Sequence, residues 1–177
     1  MQKTIKYTIF KTKWGYFGLV GTEYALFRTQ LPGLKREKIK SLLLRNMSAA
    51  QFDKSLFGPL QDQINTYFEG AYVDFRNIPI ELEGFSSFPG SVLTACRNVG
   101  FGRTITYSGL AEKLGRPNAA RAVGGALAKN PMPLIIPCHR IVRSDGKIGG
   151  FSAIGGKDLK AKMLKHEQVA LFDCRSG

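Results

Sequence analysis

The sequence is poor in the residues that bind metals and form disulfides. It holds three cysteines (Cys96, Cys138 and Cys174) and two histidines (His139 and His166) in 177 residues. None of these falls in the first 95 residues, which excludes a Cys/His metal site there. Three cysteines at wide spacing, with no Cys-x-x-Cys pair, make neither a disulfide framework nor a zinc site. Acidic residues are scarce too: 13 Asp and Glu stand against 26 Lys and Arg, a formal net charge of +13. That excess favours a polyanionic partner, although a basic surface serving only solubility has the same signature. No run approaches the ~18 apolar residues of a membrane-spanning helix. The opening MQKTIKYTIFKTKWG alternates polar with apolar and has no signal-peptide core. A soluble, cytoplasmic protein without a membrane partner is therefore expected. No repeat or low-complexity segment interrupts the chain.

What is present changes character near the middle. Residues 1–85 carry 12 Lys/Arg and 8 Asp/Glu, and residues 86–177 carry 14 and 5, so the halves differ as +4 and +9. The boundary is placed near Glu83 to Ser87, giving domains 1–85 and 86–177. In the first, TIKYTIF and GYFGLVG are rich in β-branched and aromatic residues, and GTE turns the chain into YALFRTQL. Helices are expected from Leu34 to Arg45 and over GPLQDQINTYFEG, ending at Gly70. DFRNIPIELEGF is extended, as a return to the sheet or a connector. The fold class is α/β of the α+β kind: an N-terminal antiparallel sheet with helices, then a mostly helical domain. In that second domain, FPGSVLTACRNV makes a helix with Val92, Ala95, Cys96 and Val99 on one face, and Cys96 is a packing residue. Next comes a helix capped by Ser108, broken at Gly115 and Pro117. A second, capped by Asn118, is stopped at Asn130-Pro131. Two helices joined by a Gly/Pro turn have the outline of a helix-turn-helix, which an ordinary helical hairpin shares.

Two features of this half point to chemistry. Ala120, Gly124 and Ala128 share a face of the second helix, with Gly125 beside it. Two adjacent glycines cost roughly 1 kcal/mol each in a helix interior. They suit a helix that must come very close to a surface, either protein or a DNA groove with Arg121 as a probe. Then NPMPLIIPCHRIVRSDG sets Cys138 directly beside His139, after an apolar run flanked by prolines. A thiol is a poor nucleophile until it becomes a thiolate, so a base beside it suggests a reactive cysteine.

The order ITYSGLAEKLGRPNAARAVGGALAKNPMPLIIPCHRIV…GKIGGFS…KMLKHE resembles the O6-alkylguanine-DNA alkyltransferase family. The resemblance covers roughly residues 85–170 strongly. It extends weakly into the N-terminal half through GYFGLVGTEYALFR and YFEG. It implies irreversible transfer of an alkyl group from O6 of a damaged guanine to the protein's own Cys138, once per molecule. O4-alkylthymine is left open as a further substrate. No cofactor and no metal are implied, because the lesion itself is the alkyl donor. The implied partner is double-stranded DNA containing O6-alkylguanine, met by a monomer.

The resemblance also implies roles. His139 takes the thiol proton through a water, and Glu167 orients the imidazole. Asn130 links the DNA-binding helix to the cysteine, beside its plain reading as a C-cap. Tyr107 donates a proton to the leaving purine. Arg121 fills the gap left by a flipped base, on a helix with Ala120 and Gly124 in the minor groove. Arg116 and Ser144 lie near phosphates. Pro133, Phe151 and Ser152 form the alkylguanine pocket. Phe151 stands where many relatives have tyrosine, and the AIGG after Ser152 departs from a shorter glycine-led segment. A non-catalytic sensor of alkylated DNA is the alternative, although such proteins lack the acceptor cysteine. A papain-type Cys-His hydrolase lacks its CGSCW run here, and a helix-turn-helix regulator without chemistry leaves the Cys-His pair unexplained.

Overall fold

The computed structural model describes residues 4–168, and Cys174 lies outside them. The chain divides into two compact units, Met1–Leu82 and Glu83–Gly177. No helix among the described residues is long and apolar enough to cross a membrane.

In the first unit, β1 (Lys6–Thr12), β2 (Gly15–Gly21) and β3 (Leu26–Gln30) form an antiparallel meander. α1 (Arg36–Leu43) follows, and β4 (Gln51–Phe52) then joins the other edge of β1 in parallel, giving the order β3-β2-β1-β4. The expected antiparallel sheet therefore carries one parallel strand. At two residues, β4 is too short to leave a periodicity. The β1–β2 register pairs Tyr7 with Val20 and Ile9 with Gly18, and the alternate pairs are Thr8–Leu19 and Phe10–Phe17. Side chains alternate across a strand, so these sets face opposite sides. α1 covers the first side, where Tyr7, Ile9, Val20, Ile39 and Leu43 form one buried cluster. Gly18 leaves room for it: a Cβ there would lie 2.9 Å from Leu43 Cδ2 and 3.0 Å from Ile39 Cγ2. α2 (Gly58–Glu69) covers the second side, with the Phe68 ring 6.0 Å from Phe17 and 5.2 Å from Trp14. It ends at Gly70 in the left-handed region, φ 106°. Arg28 Nη1 on β3 closes the end of α1, donating to the Leu43 and Arg45 carbonyls at 2.8 and 3.0 Å. The segment before the second unit returns to the sheet through a single parallel bridge, Leu26 to Ile80.

The second unit is built of α3 (Ser87–Arg97), β5 (Ile105–Thr106), α4 (Tyr107–Lys113), α5 (Ala120–Leu127), a 3-10 turn (Cys138–Arg140), β6 (Ile141–Val142) and α6 (Gly156–His166). α3 buries Val92, Leu93 and Cys96, with Val99 buried just beyond it and Ala95 half-buried. Two expected caps are corrected. Thr106, not Ser108, caps α4: the helix starts straight after β5, and Thr106 Oγ1 accepts from Gly109 N at 2.9 Å. Asn118 does not cap α5. It sits within a turn closed by Ala119 N donating to Arg116 O at 2.9 Å, so Ala119 takes the cap position. β5 and β6 pair in parallel, Ile105 with Ile141 and Thr106 with Val142. That short ladder sets Tyr107, the first residue of α4, against the chain leaving the Cys138 turn.

The end of β2 offers a packing test. A Cβ at Gly21 would collide with the Ala25 carbonyl oxygen and reach 3.0 Å from Leu26 Cα, both backbone atoms that cannot rotate away. Gly21→Ala is expected to destabilise the protein by about 1–3 kcal/mol through overpacking. Urea unfolding followed by tryptophan fluorescence should show a lower midpoint. An unchanged midpoint contradicts the close approach.

Candidate active site

Local geometry brings the Cys-His pair to a covered position. The apolar segment 132–137 is almost wholly buried, and it delivers Cys138 at the first residue of the 3-10 turn, 6% exposed. Asn130, just beyond α5, ties the two ends of this segment together. Its Nδ2 donates to Ile136 O at 2.8 Å and to Cys138 Sγ at 3.1 Å, and its Oδ1 accepts from Met132 N at 3.0 Å. The plain C-cap reading of Asn130 is therefore too small: the amide also holds the Cys138 sulfur.

His139 and Glu167 are both buried, with Nε2 to Oε1 at 2.7 Å. Arg140 completes the group. Its Nε donates to Glu167 Oε2 at 2.9 Å, its Nη2 to Oε1 at 3.0 Å, and its Nη1 to Val99 O at 2.7 Å. Gly102 N adds a bond to Oε2 at 3.3 Å. Burial alone would raise the Glu167 carboxyl pKa, but the bonds and charges of His139 and Arg140 outweigh it. The carboxyl is held well below the usual carboxylate range and stays ionised. An ionised carboxylate only accepts, so His139 Nε2 carries the proton in the neutral ring. The free lone pair is then on Nδ1, which is buried and has no hydrogen-bond partner among the described residues. Burial also pushes the imidazole pKa below its ordinary value, against the pull of Glu167. His139 at neutral pH is thus a neutral imidazole, protonated at Nε2 and with its Nδ1 lone pair available.

Burial pushes the Cys138 thiol pKa up. The Asn130 hydrogen bond, the Lys160 charge and the backbone around residues 138 and 139 offset part of that rise. The resting group is a thiol, and turning it into a thiolate requires a base.

Lys160 is a residue that the sequence did not single out. It is fully buried on α6, and its Nζ donates to Ile141 O at 2.5 Å, to Gly150 O at 3.0 Å and towards Tyr107 Oη at 3.5 Å. Burial lowers its pKa from 10.5 to about 8, so it remains mostly charged at pH 7. The helical spacing carried a signal: residues 160, 163, 164 and 167 share one face of α6, and all four are buried. A lysine on that stripe needs buried acceptors. Arg140 did not stand out either, although a buried Glu167 calls for a cation beside it.

A cavity of ≈ 410 Å³ holds Cys138, with Tyr107, Gly124, Gly150, Phe151 and Ser152 in its walls. Pro133 is not among its lining residues; it bridges to Ile136. Tyr107 Oη reaches Gly150 O at 3.4 Å, and burial raises the phenol pKa, so Tyr107 stays protonated. Ala120, Arg121 and Gly124 line an adjoining cleft, Arg121 itself being exposed. Gly125 has open space where a side chain would stand, and Gly124 is only in ordinary contact with Tyr107, so tight protein packing does not explain the glycine pair. Arg116 lies over the Phe88 ring at 5.3 Å, and Ser144 is exposed in a loop.

A family model described as 6-O-methylguanine DNA methyltransferase, DNA binding domain, matches residues 87–169. The methylated-DNA–protein-cysteine methyltransferase of Methanothermobacter thermautotrophicus is 39% identical over 112 residues, 63% of this chain and 61% of that relative. The chain thus spans less than two thirds of that protein. The protein of the same name from Methanosarcina barkeri is 36% identical over 163 residues, 92% of this chain and 96% of the relative. The crystal structure of Mycobacterium tuberculosis OGT in complex with DNA is similar at a TM-score of 0.77 and 30% identity, covering 92% of each chain. On this identity, sustained over nearly the full length of the Methanosarcina barkeri protein, the chain belongs to the methylated-DNA–protein-cysteine methyltransferase family.

Proposed function

We propose that this chain repairs DNA by direct reversal, moving the alkyl group of O6-alkylguanine onto its own Cys138, once per molecule. The observation that carries the reading is the pairing of two buried groups. Cys138 Sγ is held by Asn130 in a cavity, and His139 is locked by Glu167 so that Nδ1 is its free lone pair. No direct bond joins Sγ to Nδ1 among the described residues, so a water carries the thiol proton to His139. The thiolate attacks the saturated carbon: the S–C bond forms, the C–O6 bond breaks, and the electron pair stays on the purine. Tyr107 in the cavity wall supplies the proton that neutralises it. The proton taken by His139 then returns through solvent to the Tyr107 phenolate, so that overall the hydrogen lost from sulfur ends on guanine. A thioether has no leaving group that water displaces readily, and this makes the protein an acceptor used once. The family name of the relatives supports the same class of reaction.

A stacked base cannot reach a buried sulfur. Rotation out of the duplex costs a few kcal/mol. Arg121 stands exposed on a helix whose small residues allow close approach, and it fills the space the base leaves. Ala120 and Gly124 flank it, and Phe151 and Ser152 border the pocket for the flipped purine. Arg116 and Ser144, both exposed, serve phosphates.

A duplex carrying an isotopically labelled O6-methyl group tests the reaction. Label should move to protein up to one group per molecule, and Cys138→Ser should abolish transfer while duplex binding persists, because a serine hydroxyl is far too basic. More than one group per molecule, or label on Cys138→Ser, removes the acceptor reading; bound but unchanged DNA favours a damage sensor. Arg121→Ala should slow duplex repair about tenfold or more relative to reaction with free O6-benzylguanine. Equal reductions on both substrates would mean that Arg121 supports the fold rather than base extrusion.

A further inference from the structure

A second concavity lies beside the Cys138 cavity. It measures ≈ 740 Å³ and opens between α5, the loop that follows β6, and the first turns of α6. The two share Tyr107, Gly124 and Gly150 as walls. A molecule with one unit in the cavity can therefore extend into the cleft.

The charges of the cleft are one-sided. Arg121, Arg143, Lys147 and Lys157 line it, against Asp158 alone. Arg143 is already engaged by Asp145 outside the cleft lining, at 2.7 Å. Neither Lys147 nor Lys157 forms an ion pair among the described residues. Several cations around one concavity repel each other, and an anionic occupant relieves that repulsion. Between the charges the walls are small or apolar, at Ala120, Ile148, Gly149 and Ala161. Cations spread along a cleft with small and apolar walls between them fit an extended sugar–phosphate chain.

We infer that this cleft binds the backbone of the damaged strand beside the extruded nucleotide, with Lys147 and Lys157 as phosphate contacts. The inference rests on the alkyl-transfer reading of the Cys138 site. It assigns the two lysines a task different from that of Arg121. Arg121 replaces a base within a duplex, so it matters only where there is a stack to fill. Lys147 and Lys157 hold the strand that carries the lesion, so they act whether or not that strand is paired.

The test uses Lys147→Gln, Lys157→Gln and the double variant with three substrates. These are a duplex, the same strand alone with its O6-methylguanine, and free O6-benzylguanine. Neutralising either lysine should flatten the plot of log affinity against log salt by ~0.9 on duplex and ~0.7 on single strand, the amount due to one phosphate. The double variant should show the two effects together and bind either DNA about tenfold more weakly at low salt. Its transfer rate on subsaturating DNA should fall at least about tenfold further than its rate with the free base. Lys147→Arg and Lys157→Arg should restore the salt slope. An unchanged slope on single strand, a weakening confined to duplex, or an equal fall in rate with the free base overturns the inference. Failure of the unaltered protein to take up label from any of the three would instead overturn the underlying reading of Cys138.

Discussion

A carboxylate cannot be buried alone, and the site depends on how this chain meets that constraint. Glu167 is almost wholly inside, and removing an ionised carboxyl from water costs several kcal/mol unless charge and hydrogen bonds replace the solvent. Arg140 supplies both, through two bonds to the carboxylate oxygens and one to Val99 O. The carboxylate thereby stays ionised and fixes the His139 tautomer. Arg140 and His139 sit in one 3-10 turn with Cys138, so the group that secures the carboxylate also sets the place of the sulfur. In the proposed reaction, nucleophile, base and orienting acid thus come from one turn and one helix end.

Burial acts in opposite senses on the thiol and the imidazole. It raises the Cys138 pKa and lowers that of His139. Both shifts favour the neutral pair over the thiolate–imidazolium pair, so the resting site is not a charged, promiscuously reactive thiolate. In the proposed reaction the ion pair forms only as the alkyl carbon is engaged, and the Asn130 hydrogen bond and the Lys160 charge favour the thiolate. In the proposed chemistry this restraint suits a protein whose cysteine can be used a single time.

Much of the fold was legible. The strands of the first unit were legible from their β-branched and aromatic residues; β2 is buried on both sides from Phe17 to Gly21 because α1 and α2 cover opposite faces of the meander, and the Gly70 stop follows from its left-handed backbone. β4 was not legible at two residues. The caps at Thr106 and Ala119 were misread because Ser108 and Asn118 are good capping types placed two residues too late and one too early. At the site, the adjacency of Cys138 and His139 was plain from the sequence. Glu167 and Asn130 look like an ordinary helix end and an ordinary cap, and only a resemblance to known proteins drew attention to them. Arg140 and Lys160 were missed because a basic residue in a basic chain attracts no notice. Their signal is burial, which in Lys160 follows from helical spacing and in Arg140 only from the fold.

Activation of a neutral thiol by a neutral His139 is tested most directly by the pH dependence of the rate of Cys138 alkylation by free O6-benzylguanine. The thiol–imidazole pair and the thiolate–imidazolium pair carry the same number of protons, so the rate should be flat between the lowered histidine pKa and the raised cysteine pKa. It should fall only on the acid side, below the ordinary histidine value of 6.5, as His139 protonates. A plateau across neutral pH is the predicted result. A rate that climbs about tenfold per pH unit through neutrality would show that a free thiolate reacts without His139, contradicting activation by the histidine.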